Sequence, residues 1–303
     1  MTDPYKSCTI CPFECGADRT SGRLGRCNSS ASMRVARIAP HYWEEPCLSG
    51  QGLEEPIKGS GTVFFVGCSL GCVFCQNSGI SKRGSTLGRE YSPDQLAHEL
   101  LRLQEMGVHN INLVTASHFA PSVAKVIEIA RKNGLFIPTV YNCSGYEKTE
   151  TLHLLDGLID IYMPDFKFYS SSLSRDYAAC DNYRDIALQA IKEMQRQTGK
   201  PVFDDNGFMK SGTLVRHLVL PGSDIDSRRI ISLLHSELGS DGIALSVMSQ
   251  YTPCQSDRFP ELTEKLTPAA YLRAVGHAQR LGFKYLYTQD GESADASFIP
   301  EFR

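Results

Sequence analysis

The chain has 303 residues, 42% hydrophobic and 21% charged, a balance that supports a sizeable buried core and excludes a disordered or fibrous chain. A net charge of −3 argues against a broad nucleic-acid or anionic-membrane surface, and no apolar run approaches the ~20 residues that span a bilayer. Eleven cysteines, with no apolar signal core in the opening Met-Thr-Asp-Pro-Tyr-Lys, favour metal binding over disulfides in a reducing, anaerobic cytoplasm.

Residues 1–58 read as a small Cys-rich, metal-binding segment. Cys8, Cys11, Cys15 and Cys27 follow a C-x2-C-x3-C-x11-C spacing. Pro12, Gly16, Gly22 and Gly25 interrupt any regular helix there. Arg19, Arg23 and Arg26 lie among the thiols and would favour thiolate. Four such thiolates suit a structural zinc or a second iron–sulfur cluster, with reduced free thiols as the third reading; spacing does not choose. Residues 33–38 alternate weakly, as a short strand does. His41-Tyr-Trp-Glu44-Glu45-Pro-Cys47 reads as a packed connector, with an active-site wall as the alternative.

Residues 59–303 read as the main domain. Residues 62–66, aromatic and β-branched, form a buried strand, and Gly67 lets the backbone turn. Cys68, Cys72 and Cys75 follow at C-x3-C-x2-C spacing, with Phe74 inside the loop and Gln76 and Asn77 behind it. Three close thiolates leave a tetrahedral zinc site incomplete. They match a four-iron cluster that keeps one iron open for a non-protein ligand. A metal-free trio of thiols is the alternative.

Strands and helices then alternate, as βα units of a parallel sheet do. Ser92-Pro93 starts a helix with an apolar stripe at Leu96, Leu100 and Leu103, and Gly107 closes it. Strands are expected over 110–115, 136–142, 160–165, 213–220, 243–251 and 283–287. Helices are expected over 121–132, 182–197, 226–238 and 268–281. Six or seven strands fall short of a closed eight, so the fold class is α/β with an incomplete barrel.

Polar residues at C-terminal strand ends are site candidates in such a fold. The second strand ends Thr115-Ala-Ser117-His118, where His118 is either functional or a structural hydrogen-bonder. The third ends Asn142-Cys143-Ser144. Cys143 is either a small packed residue or a thiol able to donate a hydrogen atom or bind metal. Asp165 and Lys167 share one face of the fourth strand, as functional groups or a local salt bridge, whereas Arg216 and His217 fall on opposite faces of the fifth. The sixth carries Met248-Ser-Gln250-Tyr251, with core packing as the alternative for Met248.

The string from Gly61 to Asn77 resembles radical S-adenosylmethionine (SAM) enzymes, in the branch of the pyruvate formate-lyase activating enzyme. That resemblance implies a partial (β/α)6 TIM-like barrel preceded by the Cys-rich extension. It implies that Cys68, Cys72 and Cys75 hold a [4Fe–4S] cluster whose fourth iron takes the amino nitrogen and carboxylate of SAM. Phe74 would lie near the adenine, with Gln76 and Asn77 beside the cofactor. Thr115, Ser117 and His118 stand where many relatives carry a Gly-Gly-Glu that meets the SAM amino group. Asn142 and Ser144 stand where activating enzymes carry Asp-Thr-Asn-Gly, for the methionyl or ribose groups. Lys167 would meet the SAM carboxylate, Asp165 a cation or substrate, Arg216 the carboxylate or ribose, and Met248 the adenine. The implied activity is SAM cleavage to a 5′-deoxyadenosyl radical that takes hydrogen from a glycyl radical enzyme, with flavodoxin or ferredoxin as electron donor. A small molecule, peptide or other protein residue is the alternative substrate, and a non-enzymatic metal-binding protein the alternative of another class.

Overall fold

The computed structural model describes residues 3–50, 58–82, 85–289 and 302. Residues 51–57, which include Gly52 and precede the expected boundary between the two segments, lie outside them, as do Met1 and Thr2 of the N-terminal stretch. In chain order, strand β1 (Met33–His41) is followed by the short helix α1 (Pro46–Ser49), strand β2 (Ser60–Phe65), helix α2 (Ser78–Ser81) and strand β3 (Arg89–Tyr91). Then come α3 (Pro93–Glu105), β4 (Ile111–Val114), α4 (Ala120–Lys132), β5 (Thr139–Cys143), α5 (Thr149–His153) and β6 (Ile161–Pro164). After α6 (Ser171–Ala178) and α7 (Tyr183–Thr198), the short β7 (Val202–Phe203) leads into β8 (Met209–Leu218). Helix α8 (Asp224–Leu238), strand β9 (Ala244–Met248), helix α9 (Pro268–Leu281) and strand β10 (Tyr285–Thr288) complete the series.

The strands form one sheet in the order β10-β9-β8-β6-β5-β4-β2-β1-β3, with β7 paired to β8. Neighbours from β2 to β10 run parallel, while β1 is antiparallel to β2 and β3 antiparallel to β1. The first and last strands in this order do not pair, so the barrel is open. Strands β2, β4, β5 and β6 are buried along their whole length, as parallel strands covered on both faces must be. Helix α3 covers β2 and β4 with Leu96, Ala97, Leu100 and Leu103 and starts at a capping box in which Ser92 and Gln95 bond each other's backbone N–H.

Four sequence expectations shift: the strand expected over 213–220 runs Met209–Leu218, the one expected over 243–251 runs Ala244–Met248, and two others move for evident reasons. The weak strand at 33–38 runs on to His41, because β2 gives it a full antiparallel partner. The third strand begins at Thr139 rather than residue 136: Phe136 is 77% exposed, and Pro138 has no N–H for a ladder.

The Cys-rich segment packs on the ends of the main domain. Tyr5 shares a 2.7 Å hydrogen bond with Ser122, and Thr151 donates to the Ile10 carbonyl at 2.6 Å. Arg19 is 1% exposed, stacks over Tyr5 and Phe119, and donates to the carbonyls of Ser29, Ser30 and His118. Among the described residues no helix is long and apolar enough to cross a membrane.

Candidate active site

The parallel strands deliver their C-terminal ends to one cavity of about 240 Å³. Behind β2 the chain turns at Gly67, whose φ of +91° suits glycine alone, and a Cβ there would collide with Ser29 Oγ and the Cys27 carbonyl. The Cys-rich segment therefore braces the turn that launches the thiol loop. Arg26 adds a second brace, donating to the Ser69 carbonyl at 3.2 Å while stacking on Phe13.

Cys68, Cys72 and Cys75 all line the cavity. The Cys75 sulfur accepts from Ser81 Oγ at 3.2 Å, and the backbone of Gly71 and Leu70 acts on Cys68 in the direction that favours thiolate. Burial pushes the thiols of Cys68 and Cys72 up, with Lys167 pulling the other way. Such thiols shed protons on meeting a positive metal centre. Among the described residues no three His, Cys, Asp or Glu side chains converge on a point that would grip a single ion. A cluster asks for one thiolate per iron, spaced around it, so a three-thiol wall with an O–H donor to one of its sulfurs fits a [4Fe–4S] group.

Opposite the thiols stands a buried charge network. Lys167 Nζ lies 2.6 Å from Asp165 Oδ2, and Arg216 Nε lies 3.0 Å from Asp165 Oδ1. Arg216 also reaches Glu44 at 3.3 Å and Glu45 at 3.9 Å, and donates to Asn142 Oδ1 at 2.8 Å. Burial would raise Asp165, but Arg216 and Lys167 outweigh it and hold its carboxyl below the usual range. Burial raises Glu44 and Glu45 despite Arg216. Two cations thus serve three carboxylates, and the two glutamates yield by favouring the protonated form.

Phe74, Gln76, Asn77, Thr115, Asn142, Ser144, Asp165, Lys167, Arg216 and Met248 all line the cavity as well. Phe74 is held edge-on by Phe168 and Tyr177, and Gln76 Nε2 bonds the Gln250 carbonyl. Thr115 sits at φ +60°, a strained position for a β-branched residue. Ser117 and His118 do not join the cavity wall. Past β4 the chain enters a tight turn, so Ser117 points to Glu147 and His118 Nε2 donates to the Val66 carbonyl at 2.9 Å. Burial, then Arg19, lowers His118 to about 3, so it stays a neutral structural group. His217 faces away from Arg216 as alternation requires, bonding the Phe166 carbonyl at 2.7 Å. Tyr251 also turns away, its hydroxyl donating to the Leu262 carbonyl.

Of the two readings open for residues 41–47, packed connector or active-site wall, the structure supports the second: His41, Trp43 and Glu44 line the cavity. Two adjacent acids beside the single Trp were the available signal. Glu147 is buried behind the wall and nothing in its local sequence singles it out.

In the Cys-rich segment the four thiols lie near one another without converging on one ion. Cys15 and Cys27 both flank Gly25, and Cys8 and Cys11 sit within electrostatic reach of Cys27. Burial pushes Cys11 up to about 11 and raises Cys27, while backbone N–H groups pull the exposed Cys15 down against its own desolvation. Arg19 spends most of its donors on carbonyls and only one, at 3.6 Å, on the Cys8 sulfur.

The family model of the Radical SAM superfamily matches residues 62–234. The chain belongs to the radical SAM superfamily. Its open parallel sheet is the partial barrel of that superfamily, and membership makes it an enzyme of the radical SAM class, with a [4Fe–4S] cluster and SAM implied. It is 28% identical over 296 residues to an uncharacterized protein of Methanocaldococcus jannaschii, covering 93% of this chain and 77% of that one. A domain of a pyruvate-formate lyase-activating enzyme from Bacteroides vulgatus aligns at TM-score 0.40 and 11% identity, over 56% of this chain and 91% of that one. Streptococcus suis SuiB bound to its precursor peptide SuiA aligns at TM-score 0.47 and 13% identity, over 76% and 48%. SuiB bound to S-adenosylmethionine aligns at 0.46 and 13%, over 78% and 49%.

Proposed function

We propose that the chain cleaves SAM reductively at a [4Fe–4S] cluster held by Cys68, Cys72 and Cys75, and acts as an activase of the glycyl-radical-enzyme type. The observation that carries this reading is the meeting of those three thiols, Asn142, Asp165, Lys167, Arg216 and Met248 in one cavity at the ends of parallel strands. When bound, the cluster supplies one electron to the sulfonium of SAM, giving methionine and a 5′-deoxyadenosyl radical that takes hydrogen from substrate.

The protein's part is positioning and exclusion of water. Lys167 presents a compact positive charge suited to a carboxylate, fixed in place by Asp165. Arg216 is immobilised by four partners and so presents one defined edge. Phe74 and Met248 offer apolar surface for the adenine. The branch assignment rests on the resemblance of the thiol loop, Asp165-x-Lys167, Arg216-x4-Pro221-Gly222 and Met248-x-Gln250-Tyr251-x-Pro253 to the activating enzymes.

A second reading, a radical SAM enzyme acting on a small molecule, peptide or other protein residue, is favoured by the acidic wall at Glu44 and by Asn142 where activating enzymes carry Asp. Incubation with SAM, reductant and glycyl-enzyme partners from the same genome separates the two. A glycine-centred radical signal supports the activase; its absence with every partner, alongside deoxyadenosine formation, favours the second reading. For the Cys-rich segment, zinc and a second iron–sulfur cluster both remain proposals, and metal-to-sulfide analysis divides them: about four irons with zinc, or about eight without.

A further inference from the structure

Four thiols line the cavity, and the fourth lies outside the C-x3-C-x2-C loop. Cys143, at the end of β5, is 3% exposed to solvent yet faces the cavity. Cys8, Cys11, Cys15, Cys27, Cys47, Cys180 and Cys254 do not line it. Behind Cys143 stands Glu147, also 3% exposed, whose carboxyl lies within electrostatic reach of the Cys143 thiol and accepts from Ser117 Oγ at 2.5 Å. Gly145 permits this arrangement: its φ of +75° folds the chain back so that Glu147 N bonds the Gly145 carbonyl at 3.0 Å. The residue is thus a buried thiol on an active-site wall, with a carboxyl at its back and no role in the proposed cluster ligation.

We propose that Cys143 is a hydrogen-atom donor to carbon radicals generated in this cavity, with Glu147 as its positioning and proton-supplying partner; the inference rests on the SAM-cleavage reading above. In the step, Cys143 gives its thiol hydrogen to a carbon-centred radical: the S–H bond breaks, a C–H bond forms, and a thiyl radical is left. One electron from the low-potential donor that also reduces the cluster, with the proton of the Glu147 carboxyl, restores the thiol. Glu147 regains its proton from solvent. An S–H bond is weaker than an ordinary alkyl C–H bond, so the transfer runs downhill to the deoxyadenosyl radical and to other unstabilised alkyl radicals, whereas a glycyl radical, stabilised by its two neighbouring amide groups, is left intact. Burial, then the neighbouring Glu147, keeps Cys143 protonated, the form that holds a hydrogen atom to give.

The test uses iron-reconstituted enzyme with SAM and titanium(III) citrate in D2O, without substrate, so that the deoxyadenosyl radical must find its hydrogen in the protein. Mass spectrometry then reads deuterium at C5′ of deoxyadenosine. In the wild type most of the product carries one deuterium, and in Cys143→Ala and Cys143→Ser the labelled share falls at least fivefold. Infrared difference spectra of the metal-free protein supply a readout independent of turnover. The S–H stretching band lost in Cys143→Ala is shifted in Glu147→Gln, and label in Glu147→Gln falls at least threefold. Deoxyadenosine without label in the wild type, or label undiminished in both Cys143 variants, overturns the donor while leaving SAM cleavage standing. No deoxyadenosine at all overturns both. An unshifted band with undiminished label in Glu147→Gln removes Glu147 from the proposal.

Discussion

At the scale of residues, the site depends on single atoms placed by distant strands. Arg216 is the clearest case, a buried cation facing Asp165, Glu44 and Glu45 at once. Removing one partner of a buried ionic network leaves uncompensated charge and costs about 3–5 kcal/mol. Arg216→Met should therefore lower the unfolding free energy by about that amount, read by denaturant titration. It should also abolish SAM binding, whereas Arg216→Lys should recover part of the stability but not the fork that reaches Asp165, Glu44 and Asn142 at once. Glu147 gives a pH signature. Burial raises its folded-state pKa to about 7, above the 4.5 of an ordinary glutamate. The folded state then binds more protons than the unfolded one between those values, so stability falls as pH rises from about 4.5 to 7. Unfolding free energies of wild type and Glu147→Gln, compared across that window, should diverge by up to about 3 kcal/mol. The groups facing Glu147, namely Cys11, Tyr141, Cys143 and Tyr162, have raised pKa values and stay protonated there. A constant difference between the two proteins would contradict this account.

At the scale of elements, the ends of β5 and β6 are tied together by one side chain from α7. Tyr183 opens α7, and its hydroxyl lies 2.7 Å from the Ser144 carbonyl and 2.8 Å from the Asp165 carbonyl, while accepting the Lys167 N–H at 2.9 Å. It thereby sets β5 and β6 ends in register at the cavity. Tyr183→Phe leaves those buried groups short of a partner, at about 1–3 kcal/mol, and should weaken SAM binding more than it alters the cluster. Equilibrium dialysis with labelled SAM checks this, and unchanged binding would remove Tyr183 from the account. Much at this scale was legible in the sequence. The strand before the thiol loop, the capped helix at Ser92, and the same-face placement of Asp165 and Lys167 follow from period and caps. What was not legible depends on contacts distant in sequence. His118 turns away because Val66, 52 residues earlier, offers its carbonyl. Glu44 becomes a wall because Arg216, 172 residues later, draws it in. A local pattern carries neither fact.

At the scale of the whole molecule, the Cys-rich segment and the open barrel share one structural joint. Ser29 and Cys27 press on Gly67, Arg26 holds Ser69, and Arg19 caps the turn at His118. Metal loading in the segment should therefore be felt at the thiol loop. Arg19→Met, which removes four hydrogen bonds to the carbonyls of Ser29, Ser30 and His118, should lower iron content at both thiol sets, read by iron and sulfide analysis. Loss confined to the segment would mean the two are independent. The central claim is that Cys68, Cys72 and Cys75 hold the cluster that cleaves SAM. It is tested most directly by measuring deoxyadenosine released from SAM by reduced, iron-reconstituted protein, comparing wild type with Cys72→Ala. The account predicts steady deoxyadenosine formation in the wild type and none above background in the variant. Equal formation in both, or none in a wild type that carries its four irons, would contradict it.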